Sequence, residues 1–494
     1  MKNHKDLNKQ ELMTRQENQR VHLGGKFVSL EFKTKAPHGA GRKKQAEKVL
    51  ATVVMGMNLV NATAPVAALA AAEQTVPAPA QPLRSQATPL DYAVLPQLAD
   101  VVDRAIFARA EATEYDGNAS VATMIAGDTQ NITATQNGTV GVMSSGGKQH
   151  ISSGGSGTVS TMSRGGTQFV SSGSIGTVID MNGGYQTIYV DGVGSVNTIG
   201  GMGVQDISGG VGMVSIMNHS LGQQNVIGGT GTMSIMLDGL QQVYNSGTAT
   251  VDTMIGGTQI LMSGIGTVID MSGGTQTIND LGIGTVSALS GGTQIISSGG
   301  TAANTTIMGG TQIVNSLGVV SSTVLSAGVQ QVYYGSKLSD ITFAGGTQVV
   351  MGGATVSDMK VAAGVQQVKT GGTSLDTTIN GGVMQLASGG SVSGLTISYG
   401  SLELESIVGG SFTIGGTMTV GGGSVNMTDS SVTRAGAPTY ESLSINKLIG
   451  NGTTFIMDTD LAGETNSDKI SITDADYGTH YVPVSYTHLT LPTN

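Results

Sequence analysis

Glutamine returns along this chain at Gln130, Gln149, Gln168, Gln186, Gln205, Gln224, Gln241, Gln259, Gln276, Gln294, Gln312, Gln330, Gln348 and Gln366, at intervals of 17, 18 or 19 residues, and the register runs on through Met384 and Leu402. A period held over sixteen copies means that each copy meets the next in the same way. That restricts the chain to a stacked array, because a repeat this short cannot bury a core of its own.

Two residues past each marker the side chain is Val, Ile or Leu, from Ile132 and Ile151 through Val314 and Val332 to Leu386 and Leu404. The residue between varies freely, as His150, Phe169, Asp206, Gln242, Ile295 and Glu403 show. This is the period of a strand with one face inside. The marker Gln therefore points inward, and its replacements Met384 and Leu402 are apolar. A buried amide needs partners, which stacked copies of itself supply. A second apolar row lies five to seven residues before the marker: Met124, Met143, Met162, Met181, Met217, Met236, Met254 and Met271, then Leu289, Ile307, Leu325, Phe343, Val361, Ile379 and Ile397. Interchange of Met with Ile, Val and Phe argues for packing rather than soft-metal ligation.

Glycine supplies 76 of 494 residues while aromatics are 4% and charged residues 11%, so the core must be made of small side chains and the corners of glycine. Each repeat reads as two short strands with GG before one and SG, GG or GIG between them. The fold class expected is all-β, a right-handed parallel β-helix of about 18-residue repeats, with a short N-terminal helix. Sixteen rungs at ~4.8 Å span roughly 75 Å.

Ahead of the repeats the chain is an address. Twelve of its 23 Lys and Arg fall in the first fifty residues, followed by an apolar run from Val49 and an Ala-x-Ala site at Ala68, Leu69 and Ala70. These are the three parts of a secretory signal, assigned to residues 1–70; Asn58, Asn61 and Pro65 interrupt the run before it is long enough to span a bilayer. Residues 71–122 are read as linker and capping helix, with Leu98, Val101, Val102, Ala105 and Ile106 at helical spacing. Beyond the first fifty residues 11 basic residues face 28 acidic ones, which argues against nucleic acid as a partner. Cysteine is absent, removing disulfides, thiolate metal sites and Cys nucleophiles.

The repeat GGTQxVxxGGxxxxTxIxxGGTQ resembles the passenger repeats of AIDA-type autotransporter adhesins of Gram-negative bacteria, over residues 123–410. The stretch LSINKLIGNGTTFIMDTDLAGETNSDKISITDADYGTHYVPV, from Leu443 to Val484, is similar to the pertactin-like segment that closes such passengers, and the C-terminal part of the passenger is assigned to residues 411–483. The resemblance implies an adhesin or self-association stalk in cell attachment, autoaggregation and biofilm. It would be exported through the periplasm to the bacterial cell surface, or secreted. The implied partners are host-cell or abiotic surface receptors, like molecules on neighbouring cells, a glycosyltransferase acting on outer Ser and Thr, and an outer-membrane translocator barrel. No barrel sequence follows, and residues 484–494, VSYTHLTLPTN, read as a sequencing adapter, so the expectation is a passenger truncated before its barrel.

No catalytic, cofactor-binding or metal residue is singled out, and no enzyme activity is expected. A protease passenger would need a GDSGS-like site, and a polysaccharide lyase would need clustered acids or bases in a groove. Only five Lys or Arg occur between Gly146 and Gly410, and His150 and His219 stand alone as exposed strand or turn residues. The remaining alternative, a calcium-binding nonapeptide-repeat exoprotein, needs an Asp in every turn; here Asp is sporadic, as at Asp180 and Asp270.

Overall fold

The computed structural model describes residues 20–23, 26–29, 112–405, 409–428, 440–459, 467–476 and 478–486. It has two units, Met1–Ala108 and Arg109–Asn494. In the first, Arg20–Leu23 and Lys26–Ser29 pair antiparallel, Arg20 opposite Ser29. The signal's apolar run and cleavage site, and the helical spacing from Leu98 to Ile106, lie outside the described residues.

The second unit is an all-β parallel solenoid of about seventeen turns. A typical turn has a seven-residue strand, such as Ile175–Met181, and a four- or five-residue strand, such as Tyr185–Ile188. Each pairs in parallel with its counterparts one turn away: Gly176 lies between Gly157 and Gly194, and Gln186 between Gln168 and Gln205. One sequence repeat is thus one circuit of the coil. Glycine closes the corners where nothing else fits, as at Gly274, whose φ is 73°.

The solenoid is longer at both ends than the repeat motif suggests. Glu114–Tyr115 pairs with Thr129 and Gln130, and Ser120–Met124 pairs with Thr139–Met143, so strands occupy part of the stretch assigned to linker and helix. Tyr115 stands in the glutamine column, and without the marker residue this first turn could not be counted. At the other end Ser411–Val420, Ser442–Gly450 and Lys469–Ala475 stack in succession. Val484–Tyr486 pairs with Met457–Thr459, placing three residues of the stretch set apart at 484–494 on the stack, where they cover backbone groups of an open edge.

The longer strand bends once. In Ile175–Met181 the second, fourth and seventh residues are buried, and the two between the fourth and seventh are both exposed. Pairing skips the fifth residue, Ile179, so the alternation restarts after a corner. From Thr301 onward the corner moves. Asn304, Ser322, Asp340, Asp358, Asp376 and Gly394, at the fourth position, have φ between 49° and 69°, and the fifth position, as Thr323, Ile341, Met359 and Leu395, is now buried. Asn, Asp, Ser and Gly tolerate that left-handed backbone better than the Val they replace.

One turn further on the packing changes as well. The second position runs Gly157, Gly176, Gly194, Gly212, Gly231, Ala249, Gly266, Gly284 and Ala302, then enlarges to Val320, Leu338 and Val356. A Cβ added to Gly157 would stand 2.5 Å from Ile151 Cδ1 and 2.6 Å from Gln149 Oε1. In the earlier turns the apolar residue of the short strand therefore fills the space above a glycine. The Met row is fully buried, as are its replacements Leu289, Ile307, Leu325, Phe343, Val361, Ile379 and Ile397.

Candidate functional site

The interior is committed to holding the coil together. All fourteen glutamines are fully buried, and each donates its Nε2 to the Oε1 of the one before: Gln149 to Gln130 at 2.8 Å, Gln168 to Gln149 at 2.7 Å, and so on through Gln348 to Gln330 at 2.6 Å and Gln366 to Gln348 at 2.9 Å. No link is missing between Gln130 and Gln366. The first amide donates to the carbonyls of Asp116 and Ala119 at 3.1 and 2.9 Å. The last oxygen accepts from Ser374 Oγ at 3.3 Å, which is itself 2.8 Å from Thr377 Oγ1. Met384 and Leu402 then continue the column without polar groups. Every amide thus has a partner above and below, and none is offered to solvent.

What remains for chemistry is the outside, where few groups converge. One open groove of about 330 Å³ is lined by Asp340, Thr342, Asp358, Met359, Lys360, Asp376 and Thr378. Its three Asp side chains are the left-handed corner residues of successive turns, so they form a row with one acid per rung. Among the described residues no three His, Asp or Glu are placed to hold a metal ion. Asp180 and Asp270 are exposed on the strands Ile175–Met181 and Ile265–Met271.

The two isolated histidines differ from each other. His219 is a turn residue whose Nδ1 accepts from the Leu221 N–H at 3.2 Å. His150, on the outer side of Lys148–Ile151, is half-buried and stacks on Phe169 of the next turn, ring centroids 4.6 Å apart and 14° from parallel. Burial, and then the charge of Lys148, hold its imidazole below the usual histidine pKa. Sequence reading put His150 and Phe169 on the outer side separately; their contact follows from the register that sets one above the other.

One polar cluster was not visible in the sequence. Asp468, 4% exposed, accepts from the Glu441 N–H at 2.8 Å and from the Asp458 N–H at 2.7 Å, joining three strands of the closing segment. The Glu441 side chain is buried beside it. Burial raises the Asp468 carboxyl above the usual carboxylate range. Its partners lie ten and 27 residues away, with no spacing rule to connect them.

No protein-family model matches the chain, and no curated protein does. Among solved structures, the chain is similar to a crystal structure of a TibC-catalysed hyper-glycosylated TibA fragment, at 27% identity and a TM-score of 0.35, with 60% of this chain and 98% of that chain covered.

Proposed function

We propose that the chain is the passenger of an autotransporter-type adhesin, a surface-displayed stalk acting in attachment and self-association rather than an enzyme. The observation that carries this reading is the division of labour in each turn. The inward positions are used up by the glutamine ladder and the apolar rows, while the outward positions vary from turn to turn over the length of the coil. A regular side surface of this kind binds by many weak contacts in parallel. Its outward Ser and Thr, such as Thr258, Thr275, Thr293 and Thr311 in one column, also offer hydroxyls to a glycosyltransferase.

The test is display of the chain on a bacterial surface, fused to a heterologous anchor, followed by stepwise deletion of whole turns. Attachment and aggregation are expected to fall progressively with turn number. Abolition of attachment by one outward point substitution, with the β-structure intact, would refute a distributed stalk.

A further inference from the structure

We infer that the outer face of the short strands Lys148–Ile151, Thr167–Val170 and Tyr185–Ile188 is a platform for the flank of an anionic polysaccharide, a partner class that rests on the adhesive reading above. The register assembles it from three turns. Lys148, Thr167 and Tyr185 form one outward column, and His150, Phe169 and Thr187 form the next. Tyr189 follows two residues past Thr187, just beyond the end of the strand, so Tyr185 and Tyr189 flank Thr187 along the chain while Phe169 lies beside it in the turn before. Tyr185 and Tyr189 are 50% and 45% exposed, and Phe169 is held in place by the His150 ring stacked on it from the turn before.

Phe, Trp and Tyr are only 4% of the chain, so three of them on two consecutive turns, next to His150 of the turn before, are a local departure from its composition. Flat aromatic rings offer apolar area at little entropic cost to the C–H faces of a pyranose. The charge points the same way. Lys148 and Arg164 are the only Lys or Arg between 112 and 336; both are exposed, and neither is ion-paired among the described residues. Arg164 occupies the corner that leads into Thr167–Val170. On a chain carrying 28 acids against 11 bases beyond residue 50, two unpaired cations beside an aromatic face complement a negative ligand. The far side is bounded by Asp206, next to Thr187 in the following turn and bonded to Asn225 Nδ2 at 2.7 Å. The platform lies along the outer side of open strands, which suits the side of a sugar chain and not its terminal residue.

The experiment uses the full chain and three probes: unesterified oligogalacturonate, its methyl ester and sialyllactose, with affinities measured by calorimetry at two salt concentrations. The unesterified oligomer is expected to bind best and to weaken with salt. Tyr185→Ala with Tyr189→Ala should lower its affinity at least tenfold with unchanged circular dichroism, and Lys148→Gln with Arg164→Gln should abolish the preference over the ester. The inference is overturned if the wild-type chain binds none of the probes or only sialyllactose, if the tyrosine pair leaves affinity unchanged, or if that pair alters only self-association in sedimentation. Attachment by cells displaying the same variants separates the two readings: attachment without oligogalacturonate binding removes the platform alone, whereas wild-type display without attachment removes the stalk.

Discussion

At the scale of single residues, position in the hydrogen-bond row decides what a substitution costs. Gln312 donates to Gln294 at 2.7 Å and accepts from Gln330 at 2.6 Å. Gln312→Leu leaves a buried oxygen and a buried N–H unmatched, about 1–3 kcal/mol for each. Gln312→Glu is expected to be worse at neutral pH, because a buried carboxylate would face the Gln294 oxygen; protonated, it can donate to Gln294 and accept from Gln330. Its melting temperature should therefore recover as pH falls, while that of the Leu variant stays flat. A flat profile for both would mean the row is not sealed from solvent. Gly157→Val is expected to lose about 1–3 kcal/mol in denaturant titration, since Ile151 and Gln149 already occupy the space. The glutamine and Val/Ile rows could be read from sequence because period two within a strand and period eighteen between strands agree. The inward glycines could not: Gly157 looks like any other turn glycine until its pairing places it on the long strand, facing Gln149.

Among elements, the left-handed corner that begins at Asn304 is followed one turn later by a larger second residue, Val320, Leu338 and Val356, before Ser374 makes it small again. Replacing Ile283–Leu289 by the sequence of Lys337–Phe343 should preserve the fold, because the left-handed Asp comes with the larger Leu. Gly284→Leu alone should melt several degrees lower in calorimetry. Equal melting for both would uncouple bend from size. The closing segment carries its own pH dependence. Asp468 has its folded-state pKa raised, so the folded form holds the proton more tightly than the unfolded chain does. The stability this adds is complete below the ordinary value of 3.8 and declines as pH rises from there through the folded value. Hydrogen exchange in Ser442–Gly450 should accordingly quicken over that range, and Asp468→Asn should flatten the profile. The shift of the strand corner had a trace in the sequence, the S-D pairs at Ser339–Asp340 and Ser357–Asp358, but an Asp chosen for its left-handed backbone looks no different in sequence from one exposed on a strand, as Asp180 is. The aromatic platform left a fainter one, because its members come from three separate repeats.

At the scale of the whole coil, the backbone of each turn pairs with its neighbours, Lys369 alone among the ion pairs of the described residues reaching two turns on to Glu405, and stability should behave nearly as a sum over turns and junctions. Deleting residues 293–310 joins Gly292 to Thr311 and restores the register of Gln276 on Gln312. That variant should fold with an unfolding transition shifted by only a few degrees. Deletion of half as many residues should abolish cooperative unfolding, because every inward column would be broken at once. The apolar interior is divided into two clusters, one ending at Val361 and the other beginning at Val368. This division falls beside Gln366, where the polar column ends, and beside the Ser374–Thr377 pair that terminates it.

The row of amides also has a sense of direction. Nitrogen points toward the amino-terminal end at every link, so the coil has a head that gives hydrogen bonds and a tail that receives one. Reversing a single amide would set oxygen against oxygen on one side and N–H against N–H on the other, so the members must turn together or not at all. Like a queue in which everyone holds the shoulder in front, it breaks a single hold when its last member leaves. A member lost from the middle leaves two strangers face to face. Gln366→Met should thus cost less than Gln241→Met in denaturant titration, because it leaves one neighbouring amide group, the Gln348 oxygen, without its partner, whereas Gln241→Met strands both the Gln224 oxygen and the Gln259 N–H. Equal costs would show that the queue has no tail.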